Sequence, residues 1–171
     1  MGEKMDILIN EVKLQKRISE MAKMIEKDYE GKEIVLIGIL KGSLPFLWEL
    51  SKRIKNDVIM EFMEVSSYQG TESTGKVIVK KDLTSSIEGK DVIIVEDIID
   101  TGRTLTYLKK NLLERNPKSL RIATLLSKPS RRVMELNVDY IGFQIEDKFV
   151  VGFGLDYDQR LRNLPYIGYI E

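Results

Sequence analysis

The sequence predicts an α/β fold built on a mainly parallel, twisted sheet flanked by helices. Three observations predict it. Short apolar, β-branched runs alternate with segments whose apolar residues recur at helical spacing. The strongest of these runs are apolar at nearly every position, as strands covered on both faces are. The length of 171 residues, with no internal repeat, low-complexity tract or Pro/Ser-rich linker, suits one core. A single domain over residues 1–171 is therefore expected.

Each element follows in order. Ile18, Met21, Ala22 and Ile25 recur at helical spacing and Gly31 follows, so a helix is predicted over roughly residues 10–29. EIVLIGIL, residues 33–40, reads as a buried strand. Ser43 stands where a helix cap is wanted and Pro45 is tolerated in a first turn, which makes SLPFLWELSKRI, residues 43–54, the next helix. DVIMEFMEV (57–65) and KVIVKK (76–81) have strand composition, and the turn formers SSYQGTESTG (66–75) between them predict a long mobile connection. DVIIVED (91–97) is an apolar run ending in acids, followed by a turn and a helix with Leu105, Leu108 and Leu112 on one face. LRIATLLS (120–127) and DYIGFQI (139–145) complete the sheet. In such sheets ligands bind beyond the carboxyl ends of the strands, so the chemistry is expected there.

Composition narrows that chemistry. With 27 basic and 27 acidic residues the net charge is zero, without the basic excess that phosphate-backbone binding demands, so nucleic acid is a poor candidate partner. There is no cysteine and no histidine. Disulfides, thiolate nucleophiles, zinc–thiolate sites and imidazole bases are thereby excluded, leaving carboxylates, Lys, Tyr and hard-metal chemistry with Mg²⁺. The longest strongly apolar stretch, residues 34–40, is far short of the roughly 20 residues that cross a bilayer. The opening MGEKMDILIN has acids where a signal peptide is apolar, and Asp6 where a myristoylation motif has Ser or Thr; a soluble cytoplasmic protein is expected.

The strongest local signal is VIIVEDIIDTGRTL, residues 92–105. A buried strand delivers Glu96, Asp97 and Asp100 into a turn that becomes a helix N-terminus at Thr101, Gly102, Arg103 and Thr104. A helix start offers unpaired N–H groups with partial positive charge, Gly102 admits a close approach, and the hydroxyls and Arg103 add donors, which together suit a terminal phosphate. The neighbouring acids suit sugar hydroxyls and Mg²⁺. The plainer alternative is solvated strand-end acids with threonines capping a helix. Gly70 to Lys76 also reproduces the first seven positions of a P-loop, but Val77 replaces the metal-binding Ser or Thr and a strand follows where a helix is required. That stretch reads better as a polar lid.

The segment EDIIDTG resembles the ribose-phosphate signature of type I phosphoribosyltransferases, in particular the hypoxanthine-guanine branch. LKGS (40–43) is similar to the family's pyrophosphate loop, and SSYQ (66–69) to the opening of its lid. LLSKPSRR (125–132) resembles the segment with the base-recognition lysine, and DKFVVGFGLDYDQRLRNLPYIG (147–168) the C-terminal purine and pyrophosphate segment. The resemblance runs from about residue 30 onward and implies the family's fold, with residues 145–171 as a small hood over a purine site and 66–75 as the lid. It implies Mg²⁺-dependent transfer of the 5-phosphoribosyl group from phosphoribosyl pyrophosphate to hypoxanthine or guanine, giving IMP or GMP and pyrophosphate.

The resemblance also implies roles. Asp100 is the acid–base residue near purine N7. Glu96 and Asp97 hold the ribose hydroxyls directly or through Mg²⁺, although adjacent strand residues point oppositely unless the strand bends. Thr101, Gly102, Arg103 and Thr104 bind the 5′-phosphate, with Arg103 where some relatives have Lys. Lys41 and Gly42 bind pyrophosphate through a cis peptide after Leu40, and Arg162 adds a cation. Ser67 and Tyr68 arrive with the lid. Lys128 donates to the 6-oxo group, Phe149 stacks on the purine, the Val150 backbone bonds the base edge, and Asp156 supplies a carbonyl to the base or a carboxylate to a second Mg²⁺, apart from the one at Glu96 and Asp97. A homo-oligomer, dimer or tetramer, is implied as well. Two other readings stand beside this one: a xanthine-preferring transferase, and a regulator of the same fold that binds RNA or DNA through a local basic face around Lys80, Lys81 or Lys128 to Arg132.

Overall fold

The computed structural model describes residues 4–67 and 77–171. In chain order its elements are β1 (Met5–Ile9), α1 (Glu11–Asp28), β2 (Ile34–Leu40), α2 (Leu44–Ser51), β3 (Val58–Ser67), β4 (Val77–Lys81), β5 (Asp91–Ile99), α3 (Arg103–Leu113), β6 (Ser119–Ser127), β7 (Tyr140–Gln144), β8 (Phe149–Val151) and β9 (Ile167–Ile170). Six strands form one sheet in the order β4-β3-β2-β5-β6-β7, and three form a second in the order β1-β9-β8. The larger sheet is parallel except for β4, which runs back along β3 as an antiparallel edge.

Side-chain alternation divides the central strands between two cores. Ile34 and Leu36 of β2, with Ile93 and Val95 of β5, meet Leu14, Ile18, Met21 and Ile25 of α1 and Phe46, Leu47 and Leu50 of α2. Val35, Ile37 and Ile39, with Val92 and Ile94, meet Leu105, Leu108 and Leu112 of α3. Both faces are therefore covered, which is why the runs at 34–40 and 91–95 carry no polar alternation. The sheet edge at β7 is closed by α1: Arg17 donates from Nε to the Gly142 carbonyl and from NH2 to that of Ile141, each at 2.9 Å. Capping these carbonyls blocks further strand addition.

The predicted helices and strands are present, with boundaries shifted for local reasons. Asn10 caps α1, its Oδ1 accepting from the Lys13 N–H at 2.9 Å. The helix expected to run to residue 54 ends at Ser51, because its last carbonyls find other partners: Ser51 Oγ donates to Trp48 and Arg53 NH1 to Glu49. Ser43 does not cap that helix. It sits in helical conformation with no capping bond, and its hydroxyl is buried beside the bare backbone of Gly38. The first strand, Met5–Ile9, carried no recognised signal in the sequence; it is held antiparallel to β9, a partner some 160 residues away in the chain, from Met5 opposite Ile170 to Ile9 opposite Ile167. The second sheet packs on the α1 core through Ile9, Val150, Phe153 and Ile167. The expected lid lies almost wholly outside the described residues, as do Tyr68 and the P-loop-like stretch.

Tyr29, just after α1, is 2% exposed, with the Arg121 guanidinium 5.0 Å from its ring centroid. Its hydroxyl has no hydrogen-bond partner among the described residues. Burial pushes this hydroxyl from 10.0 up to about 12, against the opposing pull of Arg121. A native value above the unfolded one means that the stability present below pH 10 is lost as pH rises towards about 12. Tyr29→Phe is expected to change stability at pH 7 by less than about 1 kcal/mol. It should also flatten the alkaline loss, which urea titrations at pH 7 and across the alkaline range will measure.

Candidate active site

The parallel register brings four strand ends to one level. Gly38 of β2 lies opposite Val95 of β5, Ile99 of β5 opposite Ser127 of β6, and Ser127 opposite Gln144 of β7. Whatever follows these strands must therefore assemble side by side. A cavity of about 290 Å³ opens here, lined by Glu96, Asp97, Asp100, Thr101, Gly102 and Thr104 together with Gly42 and apolar side chains from β2, β3, β5 and α3.

Glu96 and Asp97 both line it, although they are strand neighbours. The reason is that β2 stops pairing with β5 at Val95. Beyond that point the cavity meets the end of β5 rather than one of its faces. The Asp97 N–H donates to Glu96 Oε1 at 3.0 Å, and Asp97 Oδ1 accepts from the Ile98 N–H at 2.8 Å. A Cβ on Gly42 would lie 1.8 Å from Asp97 Oδ2, so the carboxylate occupies the space that only glycine leaves open. Burial, reinforced by the Asp97 charge, holds the Glu96 carboxyl well above the usual carboxylate range. Neither acid has an ion-pair partner among the described residues.

Asp100 leaves the strand, and Gly102 then caps α3 with φ 85°, in the left-handed region. Thr101 Oγ1 accepts weakly from the Arg103 N–H at 3.4 Å. The Thr101 carbonyl is held by the N–H groups of Val133 and Met134 at 3.0 and 3.2 Å, and the Asp100 carbonyl by Arg132 NH1 at 3.2 Å. From the sequence alone, Arg132 has no role beyond ending a candidate basic face. Its other nitrogen donates to buried Ser127 Oγ at 2.7 Å, so it braces the turn from the end of β6. The start of α3, Gly102 to Leu105, thus borders the cavity through Gly102, Thr104 and Leu105 from a fixed frame, and a helix start is where unpaired N–H groups are found. Arg103 departs from expectation: its side chain is exposed and does not line the cavity, because the inward helix positions belong to Thr104, Leu105 and Leu108.

Lys128 follows β6, its N–H bonded to the Ile99 carbonyl at 3.0 Å. Its side chain is 10% exposed and its Nζ lies 3.7 Å from Asp100 Oδ1 and 3.4 Å from Asp147 Oδ1. Two other positions of the suspected basic face are also engaged. Lys81 Nζ donates to the carbonyls of Phe62 and Asp82, and Arg131 lies 3.7 Å from Asp147.

A second group forms around the turn after β2. The Leu40–Lys41 peptide is cis, as the resemblance implied. Gly154, at φ 102°, comes so close that a Cβ there would lie 2.0 Å from the Gly42 carbonyl oxygen. Lys41 Nζ donates to Gln159 Oε1 at 3.2 Å, and Arg162 donates to the same oxygen at 3.1 Å and to the Gly154 carbonyl at 2.7 Å. Lys41, Gly42 and Arg162 are thus brought together, with Gln159 as an unforeseen link. Asp156 belongs to this group and not to Glu96 and Asp97. Its oxygens take the Gln159 N–H at 2.9 Å and Arg162 at 3.5 Å, because a left-handed turn at Asp158, Gln159 and Leu161 points both donors at it. Among the described residues no three acidic side chains gather as one metal cluster, and Asp156 stands apart from Glu96 and Asp97.

Phe149 is 51% exposed and meets Tyr157 edge-on at 5.8 Å, so it is not a core residue. Val150 pairs with Tyr169 on β8, an edge strand where alternate backbone groups point away from the sheet. Ser67 is the last residue of β3, opposite Val77.

The chain matches the phosphoribosyl transferase domain family over residues 6–158. It is 50% identical over 167 residues to a hypoxanthine-guanine phosphoribosyltransferase of Staphylococcus aureus, covering 97% of this chain and 93% of that one. It is 48% identical to the bifunctional protein TilS/HprT of Listeria monocytogenes, of whose length it spans only 26%. A crystal structure of a hypoxanthine-guanine phosphoribosyltransferase from Bacillus anthracis superposes with a TM-score of 0.94 at 50% identity, over 97% of this chain and 98% of the other. No helix among the described residues is long and apolar enough to cross a membrane.

The glycines give a controlled test of this geometry. Gly89 and Gly154 both have positive φ, 70° and 102°, but only Gly154 has an obstructing atom. Gly89→Ala is expected to cost about 1–2 kcal/mol, the left-handed penalty alone. Gly154→Ala should cost measurably more, and equilibrium urea unfolding of the two variants will show the difference.

Proposed function

The chain belongs to the phosphoribosyl transferase family, and from that premise we infer that it transfers the 5-phosphoribosyl group of phosphoribosyl pyrophosphate to hypoxanthine or guanine. The products are IMP or GMP and pyrophosphate. The observation that carries this reading is a single cavity with an acidic strand end on one wall and the N-terminus of α3 on the other, beside a buried lysine. Sugar hydroxyls need acceptors, a phosphate monoester needs N–H donors, and a 6-oxopurine needs a cation at its carbonyl. All three stand at adjoining strand ends.

The roles follow from position. The 5′-phosphate takes the α3 N-terminus, with Thr101, Gly102 and Thr104 around it and Arg103 contributing its backbone. Glu96 and Asp97 accept from the ribose 2′ and 3′ hydroxyls. Lys41, Gly42 and Arg162 receive the pyrophosphate, where charge builds as the anomeric bond breaks. Ser67 and Tyr68, with the rest of 66–75, act as the lid. Lys128 donates to the 6-oxo group and disfavours adenine, whose amino group is itself a donor. Phe149 stacks on the base and Val150 bonds its edge from the edge of β8. Asp100, next to Lys128, accepts the N7 proton as the ribosyl bond forms.

Mg²⁺ suits the pair Glu96–Asp97: two neighbouring carboxylates that line the cavity without an ion-pair partner among the described residues, one held well above the usual carboxylate range by burial and by its neighbour's charge, form a site that wants a hard cation. Glu96 and Asp97 would hold it, with Asp156 near the pyrophosphate end, and it would supply charge neutralisation for the diphosphate. The reading treats the chain as one domain with 145–171 as the hood, acting in the cytoplasm on charged metabolites that do not cross bilayers. It includes a homo-oligomer, supported by Leu44 and Trp48, one turn apart on α2 and 52% and 56% exposed.

Initial rates with hypoxanthine, guanine, xanthine and adenine, each with phosphoribosyl pyrophosphate and Mg²⁺, test the reading. Hypoxanthine and guanine are expected to react fastest and adenine not at all; a faster rate with xanthine would reassign the base. Asp100→Asn should keep the fold and lose roughly 10² to 10⁴ in kcat. Unchanged turnover in that variant would remove Asp100 from its role.

A further inference from the structure

We propose that Asp147 is a positioning residue for base recognition: it holds the Lys128 ammonium midway between the hood and Asp100, leaving one N–H for the purine carbonyl and Asp100 able to take a proton. The proposal rests on the reading above, in which Lys128 meets the 6-oxo group. It begins from a count of donors. An ammonium has three protons and no acceptor. Lys128 Nζ donates to Asp147 Oδ1 at 3.4 Å and lies 3.7 Å from Asp100 Oδ1, an ion-pair distance and not a hydrogen bond, so even with one proton turned towards each carboxylate a third direction is unused. The Lys128 N–H is tied to the Ile99 carbonyl, which fixes its backbone, and the side chain, only 10% exposed, ends between these two carboxylates.

The two carboxylates are not equivalent. Asp100 Oδ1 is buried and has no hydrogen-bond partner among the described residues, so Lys128 is its only close charge there. Asp147 is half-exposed and its second oxygen lies 3.7 Å from Arg131, which anchors it independently of Lys128. It belongs to the connection between β7 and β8, two residues before Phe149, and the Ile145 N–H bonds the Ser127 carbonyl at 2.9 Å to fix that connection against β6. Asp147 thus ties the lysine to the strand that carries the stacking aromatic. Without its charge, the ammonium would be left to Asp100 alone and would close on its buried Oδ1, since an opposite charge attracts most where water is least. The purine carbonyl would lose its donor and the proton acceptor would be occupied by a cation. Groups that bind the sugar and phosphates would feel nothing.

The test uses the full chain with hypoxanthine and phosphoribosyl pyrophosphate as varied substrates. Asp147→Asn is expected to raise the KM for hypoxanthine about tenfold or more and to lower kcat, with the KM for phosphoribosyl pyrophosphate within about twofold. Asp147→Glu should restore most of the loss, and thermal melts of both should stay near wild type. In a Lys128→Gln background, Asp147→Asn should add almost nothing, because it acts through the lysine. Equal rises in both KM values, an unchanged hypoxanthine KM, or additive losses in the double variant would each overturn the positioning role while leaving the transferase reading intact. A wild-type chain that transfers ribose phosphate to no purine would overturn both.

Discussion

The arrangement depends on one constraint, the register of the parallel strands β2, β5, β6 and β7. Parallel strands share a direction, so the residues that follow them emerge at the same edge of the sheet. Here the pairs Gly38–Val95, Ile99–Ser127 and Ser127–Gln144 set the level. Consequently Lys41 and Gly42, Glu96 to Thr104, Lys128 and Asp147 become neighbours although they span more than a hundred residues of chain. A one-residue slip of β6 would send Lys128 to the other face and Ser127 into its place. Two dry cores, one against α1 and α2 and one against α3, make such a slip costly because each would receive the wrong side chains.

That rigidity lets the site hold charges in an arrangement that is unfavourable in isolation. Glu96 and Asp97 line one cavity with no basic side chain paired to either among the described residues, Asp97 is pressed against the bare backbone of Gly42, and Gly154 leaves almost no room beside the Gly42 carbonyl. On the proposed reading these crowded oxygens are where hydroxyls and a hard cation arrive. The cations are kept apart from them: Lys41 and Arg162 share the neutral amide oxygen of Gln159, and Lys128 lies between Asp100 and Asp147. The neutral oxygen of Gln159 positions both cations without cancelling their charge, although Arg162 also meets the Asp156 carboxylate at 3.5 Å. The zero net charge of the chain conceals this local separation of signs.

What could be read from the sequence was local in origin. The runs at 34–40 and 91–97 announce buried strands because covering both faces removes polar residues, and EDIIDTG announces the site because strand, acids, glycine and helix start are contiguous. Ser43 misled because residue preference at a cap says nothing of where the hydroxyl goes when the preceding turn is already wound as helix. The five residues of β1 were invisible for a different reason: a short strand that pairs with residue 170 has its cause at the far end of the chain. The links supplied by Arg132, Asp147 and Gln159 are non-local in the same way. Each acts by reaching a carbonyl, an ammonium or a guanidinium that its own neighbours do not reveal.

The two ends of the proposed substrate are therefore held by different kinds of structure. The phosphate end uses main-chain N–H groups and a glycine turn, which depend little on side-chain identity and so appear as a compact motif. The base end uses Lys128 after β6 together with Phe149 and Val150 of β8, a strand whose one partner in its sheet among the described residues is β9, itself paired with β1. Such a hood is joined to the main sheet through its apolar residues Val150, Phe153 and Ile167, through the hydrogen bond of Lys41 to Gln159, and through the ion pairs of Asp147 with Lys128 and Arg131. Apolar contacts fix distance but tolerate small rotations, whereas an ion pair to a buried lysine fixes the direction of one particular donor. Selection among purines that differ by one carbonyl or amino group requires the second kind of restraint, and in this molecule that restraint converges on Lys128.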